Sequence, residues 1–397
     1  MDKSIWMKQL RQELQHHILP FWIDHTIDPE HGGFIGYIDQ QMKADPLADK
    51  GLVLNARILW TFASAYRFSP QTEYVQTAQR AYTYLMEHFL DREYGGLFWM
   101  VDYQGKPTQD KKQIYGQAFV IYALAEYVLA SSSQDALDMA IEIYHLLEKH
   151  SYDPVHQGYI EALSRDWKQT DNFSLSDKDL NEMKSMNTHL HILEAYTNLY
   201  RVWKSPELQQ SLSELIKITL EHIIDPQTAH FRLFFDEAWQ IKSSHISYGH
   251  DIEGSWLLVE AAETLGDPAL LARVKHTAVA MAQAVYQEGI DQDGGIWNEA
   301  DQTGLTDQNK DWWPQAEAMV GFYNAYQLTG EQKYREAAAS SWSFIQQYLI
   351  DRKHGEWFWG IGPDGQPLTS EPKVSSWKCP YHNGRACLEM LIRLELE

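Results

Sequence analysis

Apolar side chains recur at helical spacing through most of the chain. Ile58, Leu59, Phe62, Ala65 and Tyr66 fall on one face of a 3.6-residue period, as do Ile121, Leu124, Ala125 and Val128. Ser69-Pro70, Ser205-Pro206 and Gly266-Asp267-Pro268 mark breaks between paired helices, and Ser131 to Ser133 reads as a surface turn. Between the helical stretches the pattern alternates briefly, as in 95–102 and 356–364, and ends in Asp, Gly or Pro. These segments predict short hairpins or extended loops at one end of a helical bundle.

That change of pattern is periodic. An Asp opens a turn of small and aromatic residues at Asp28, Asp91, Asp153, Asp225, Asp291 and Asp351, with spacings of 63, 62, 72, 66 and 60 residues. A period near 60 is one helical hairpin plus its connections. Six copies in 397 residues predict an all-α protein, a single domain over 1–397 built as a closed or stacked array of about twelve helices. The aspartates are expected to accept backbone N–H groups in their turns. The longest spacing contains the polar stretch 164–186, expected to be a flexible loop at the mouth of a site that sets substrate length.

Composition narrows the partners. There are 33 Lys and Arg against 55 Asp and Glu, a net charge of −22, which argues against nucleic acid or an anionic membrane. The 15 Trp and 22 Tyr suit a sugar, because their rings are flat and apolar with polar edges. Cys379 and Cys387 suggest no disulfide framework and read as buried small residues. The N-terminal stretch lacks the apolar run of a signal peptide, and the apolar stretch from Ala118 to Ala130 is too short to span a bilayer. A cytoplasmic location follows as the expectation.

The first turn of the helix after each repeat is unusually polar for a core position. If the repeats are equivalent, these turns ring one opening and gather Arg57, Tyr115, Asn187, His191, His250, Glu253, Trp313, Glu317, Trp377 and His382. Asn187 and His191 are i,i+4 and share a face, whereas His189 points elsewhere. His250 and Glu253 are i,i+3, so the carboxylate is expected to hold the imidazole. Trp313 and Glu317 repeat the i,i+4 relation, and His382 and Arg385 the i,i+3. No metal site is expected, since His189 and His191 cannot chelate from one helical face and no His-Glu-x-x-His occurs. No dinucleotide or phosphate loop is present either.

The segments 50–60, 175–179 with 184–196, 248–253, 312–317 and 377–385 resemble the N-acylglucosamine 2-epimerase superfamily, and within it the cellobiose 2-epimerases. The resemblance implies an (α/α)6 barrel of six helical hairpins, no metal and no nicotinamide, and inversion at C2 of a reducing-end sugar. It places the catalytic histidines at His250 and His382, with His191 and Arg57 assisting at the O1/O2 side. Trp313 and Trp377 would stack on the sugars, Tyr115 and Asn187 are hydroxyl partners, and Glu253 and Glu317 are counted with them as substrate-binding residues. Once ring opening exposes the C1 carbonyl, the C2 hydrogen is acidic, and inversion needs a base, an enediolate stabiliser and an acid. Two imidazoles and one guanidinium supply them. Cellobiose to glucosyl-mannose is the leading reaction. A mannose 2-epimerase or aldose–ketose isomerase stays open, since it differs only in substrate length or in which carbon is reprotonated. A glycoside hydrolase would have to use Glu253 and Glu317 and would leave the histidines unexplained. A non-catalytic binding barrel would need no paired imidazoles.

Overall fold

The computed structural model describes residues 1–176 and 179–397; Asp177 and Lys178, part of the 164–186 stretch, lie outside the described residues. The helices are, in order, α1 (Lys3–Glu13), α2 (Leu19–Thr26), α3 (Leu52–Phe68), α4 (Thr72–Tyr84), α5 (Ile114–Ser131), α6 (Gln134–His150) and α7 (Met186–Val202). They continue as α8 (Pro206–Ile218), α9 (Tyr248–Leu265), α10 (Pro268–Glu288), α11 (Trp312–Thr329), α12 (Gln332–Phe344) and α13 (Tyr381–Leu396). A π-helical turn, Leu14–Ile18, joins α1 to α2, and similar turns extend α4, α8 and α12. The breaks fall where Pro and the N-caps predict: Ser205 caps α8, and Gly266 in the left-handed region ends α9 before Asp267 caps α10.

Six helices form an inner ring in which each packs on the next: α3 on α5, α5 on α7, α7 on α9, α9 on α11, α11 on α13, and α13 back on α3. In α5 every residue from Ile114 to Tyr127 is buried, as a helix covered on all sides requires. This helix is 18 residues long and apolar enough to cross a membrane, longer than the stretch expected from the sequence, yet here it is a core helix between α3 and α7. Outer helices bury one stripe, as α8 does with Leu208, Ser211, Leu212, Leu215 and Ile216. Five hairpins pair an inner helix with the outer helix that follows it. The sixth joins the two ends of the chain, α13 against α1.

The six Asp turns are one structure repeated. The residue before each Asp makes an antiparallel bridge across the turn, from Ile27 to Phe34 in the first copy and Ile350 to Trp357 in the last. Asp28 Oδ1 accepts from the amides of Glu30 and His31, Asp91 from Glu93 and Tyr94, and Asp153 from Val155 and His156, as the sequence suggested. The sequence did not reveal the second carboxylate oxygen's partner. Lys50, Lys112, Lys184, Lys310 and Lys373 bond Asp28, Asp91, Asp153, Asp291 and Asp351 at 2.5–2.9 Å, and in the fourth copy Arg232 takes the place of Lys. The first four of these lysines stand two residues before an inner helix. Their two-residue strands pair with the loop of the following repeat, Lys50–Gly51 with Met100–Val101 and Lys184–Ser185 with Phe234–Phe235. The starts of α3, α5, α7 and α11 are thus tied at one end of the ring, where the candidate residues lie.

Candidate functional site

Each inner helix delivers its first turns to this end. Arg57 comes from α3, Tyr115 from α5, His191 from α7, His250 and Glu253 from α9, Trp313 and Glu317 from α11, and His382 from α13. Arg57 donates to the Tyr115 hydroxyl at 2.8 Å and lies over the Phe119 ring. Tyr115 in turn packs edge-on against His191 and against Trp377, whose carbonyl oxygen is 3.4 Å from Arg57 Nη1. Trp313 packs on both His250 and His382, with ring centroids 4.7 and 5.6 Å away. Seven of the ten candidates are joined in these two groups, and Glu253 and Glu317 adjoin His382.

Asn187 is the exception. It lies one turn before His191 but lines a small recess with Glu161, Phe173, Leu175 and Phe234, and its Oδ1 is buried without a hydrogen-bond partner. His189 indeed faces away. Its Nε2 accepts the Tyr159 amide at 2.9 Å, so Nδ1 carries the proton and donates to the Ser185 carbonyl. It is a structural histidine.

Two expectations require correction. Glu253 does not hold His250: the His250 Nδ1 partner is the Ser247 hydroxyl at 2.8 Å. The carboxylate one turn along points inward instead, where Arg385 Nη2 donates to it at 2.6 Å. Glu317 and Glu253, both expected to contact substrate, are 1% exposed and lie behind His382. Glu317 Oε1 accepts from His382 Nδ1 and from Arg385 Nη2, each at 2.7 Å, while its Oε2 accepts from Trp256 Nε1.

The tautomers follow from this wiring. An ionised carboxylate only accepts, so His382 Nδ1 bears hydrogen and its Nε2 keeps a lone pair. Glu194, one turn past His191 on α7, does the same for His191 Nδ1 at 3.0 Å. Sequence reading missed Glu194, although it has the i,i+3 relation assigned, wrongly, to His250 and Glu253. Burial pushes His250 down to about 3, and burial with the Arg57 and Arg385 charges holds His382 well below the usual histidine range. Both rings are therefore neutral near pH 7 and can accept a proton. Burial works against the Arg57 charge, but Tyr115 and Cys379 more than offset it. Among the described residues Arg57 forms no ion pair with a carboxylate, and its Nε is buried without a partner.

Glu253, Glu317 and His382 offer ligand atoms within 4.8 Å of one another, spacing that a metal ion could use. The Arg385 guanidinium already lies between the two carboxylates and supplies the positive charge there. Cys379 and Cys387 are buried free thiols.

The chain is similar along its length to sugar epimerases. It is 46% identical over 392 residues to the cellobiose 2-epimerase of Bacteroides fragilis, covering 98% of this chain and 100% of that protein. The structure of cellobiose 2-epimerase from Bacillus thermoamylovorans B4167 superposes with a TM-score of 0.94 at 39% identity, over 98% of this chain and 100% of that one. A crystal structure of D-mannose isomerase shares the fold, with a TM-score of 0.84 at 22% identity. The profile of N-acylglucosamine 2-epimerase (GlcNAc 2-epimerase) matches residues 33–385, and with it the site residues from Arg57 to His382. The chain belongs to the N-acylglucosamine 2-epimerase family.

Proposed function

We propose that this protein is a carbohydrate 2-epimerase that inverts C2 of the reducing-end residue of a β-1,4-linked disaccharide, converting cellobiose to glucosyl-mannose, in a single (α/α)6-barrel catalytic domain spanning 1–397. The inner ring closed by α13 on α3 supports the barrel. The observation that carries the reaction is the pair of neutral imidazoles, His250 and His382, against the same Trp313 indole. In this reading one imidazole takes the C2 proton of the open-chain sugar. Arg57, with Tyr115, stabilises the enediolate oxygens, and the other imidazole returns a proton to the opposite face. His191, fixed by Glu194, presents its Nε2 on the O1/O2 side. Trp377, packed against Trp99 and Tyr115, offers an apolar platform for the second sugar ring. The proposed partner is thus a small sugar, and the proposed location cytoplasmic.

Turnover of cellobiose in D2O tests this. Product should carry deuterium at C2, and His250→Asn and His382→Asn should each lower kcat by about 10²–10⁴-fold with the fold intact. One variant retaining C2 exchange without inversion would assign its remaining histidine to a face. Product free of solvent deuterium after many turnovers, or near-wild-type kcat in both variants, refutes the two-histidine route.

A further inference from the structure

Next to the carboxyl groups that hold His191 and His382 lies one cation that touches both of them and a third. Arg385, 1% exposed, donates through Nη1 to Glu194 Oε1 and the Tyr381 hydroxyl. Its Nη2 reaches Glu253 at 2.6 Å and Glu317 at 2.7 Å. The guanidinium is sandwiched by the Tyr381 and Trp256 rings, 4.3 and 4.8 Å from its carbon. Tyr381 donates to the same Glu194 oxygen, and Trp256 donates to Glu317. The carboxylates at the two ends of this hub are the ones that fix His191 and His382.

From this juxtaposition we infer that Arg385 is the positioning residue that couples two histidines of the site: through Glu194 it orients His191, and through Glu317 it orients His382, so that both present Nε2 to substrate together. The inference rests on the proposed epimerase reading for its kinetic consequences, but the geometry stands apart from it. Burial and the neighbouring Glu317 push Glu253 up to about 8 even with the guanidinium in place, so without it the three carboxyl groups crowded into this one buried site would repel and reorient. The planar fork makes four bonds from two separate nitrogens, Nη1 to Glu194 and Tyr381 and Nη2 to Glu253 and Glu317, a span and number of donors that the single ammonium of Lys does not match. The charged and titratable groups around His382 are Glu317 on α11, Glu253 on α9, Glu194 and His191 on α7, Arg57 on α3, and Arg385 on its own helix. Among these the two arginines oppose protonation of the ring, so loss of one has a predictable sign.

Two variants and one spectrum test the coupling. Arg385→Lys, which keeps the charge but not the fork, should lower kcat by about tenfold or more, with KM for cellobiose changed by less than about threefold, since the residue does not touch substrate. Arg385→Met should in addition move the acid limb of the kcat/KM profile upward by about one pH unit, because the ring then protonates more easily. Imidazole ¹⁵N spectra of the unmodified protein should place His191 and His382 wholly in the Nδ1–H tautomer, and both should lose it together in Arg385→Lys. If Arg385→Met does not fold, the Lys variant and the spectra decide. Wild-type kcat and unchanged tautomers in Arg385→Lys, or loss of order at only one of the two histidines, overturns the inference. Inactivity of the unmodified enzyme on cellobiose would refute the functional reading alone, leaving the tautomer result to stand or fall by itself.

Discussion

Gly249, the residue before His250, is the point where a single methyl group should separate activity from stability. It lies in the first turn of α9, and a Cβ built there would sit 2.6 Å from Trp313 Cη2, 2.8 Å from Cζ3 and 2.9 Å from Pro314 Cγ. Carbon atoms rest about 3.5–4.0 Å apart, so in Gly249→Ala the indole has to retreat by about 1 Å. Trp313 packs on both imidazoles, and a displacement of about 1 Å can cost about 10²-fold in rate. We expect kcat/KM on cellobiose to fall about 10–100-fold. Stability should fall by no more than about 2 kcal/mol, so the variant still folds. Overpacking costs about 1–3 kcal/mol, and replacing a helical glycine by alanine returns up to about 1 kcal/mol. Initial rates by anion-exchange chromatography and urea unfolding of the same preparation measure both. The double variant Gly249→Ala/Trp313→Phe checks the cause, because the smaller ring leaves room for the methyl group. The two changes should then be less than additive. A Gly249→Ala enzyme with kcat within twofold of the parent, or strictly additive losses in the double variant, would refute the reasoning.

Trp377→Ala should raise KM for cellobiose about tenfold, and KM for mannose much less, because only the disaccharide reaches the second-ring platform; equal effects would place this indole at the reacting ring. His189 should make stability depend on pH. Burial holds it down to about 3 in the folded protein, against 6.5 unfolded, so the unfolded chain binds the extra proton and stability falls as pH drops from about 6.5 toward 3. Its share of the slope is about 1.4 kcal/mol per pH unit. Urea unfolding from pH 4.5 to 6.5 should give a correspondingly shallower slope in His189→Asn, and parallel slopes would contradict the assignment.

The features legible in sequence were those written in residue type at a fixed period. The Asp turns repeat every 60 to 72 residues, and each was correctly read as a cap for backbone amides. The polar first turns of the inner helices pointed to nine of the ten residues that the fold joins in one site. What stayed hidden was pairing across the ring. The lysines bound to the Asp turns stand 19 to 31 residues away, with nothing local to mark them as partners. Helical spacing says which residues share a face, but not which way that face turns. His250 and Glu253 are one turn apart, yet one bonds Ser247 and the other a guanidinium on α13. The i,i+3 rule held for His191 and Glu194, where both side chains face the ring's interior. Arg385 could not be distinguished from any helical arginine, because its three carboxylates come from three other helices.

The sixth hairpin has a consequence for how the protein is made. Its two members are the first and last helices in chain order, linked by contacts such as Arg11 with Glu395, 384 residues apart. A ribosome releases α1 long before its partner exists. The buried face of α1, with Trp6 and Leu10, must wait uncovered or be held by a chaperone until α13 arrives. Helix α13 also carries His382 and Arg385. A nascent chain can therefore assemble most of the ring and still have no complete acid–base pair, and the same late step that shields α1 also completes the proposed catalytic machinery.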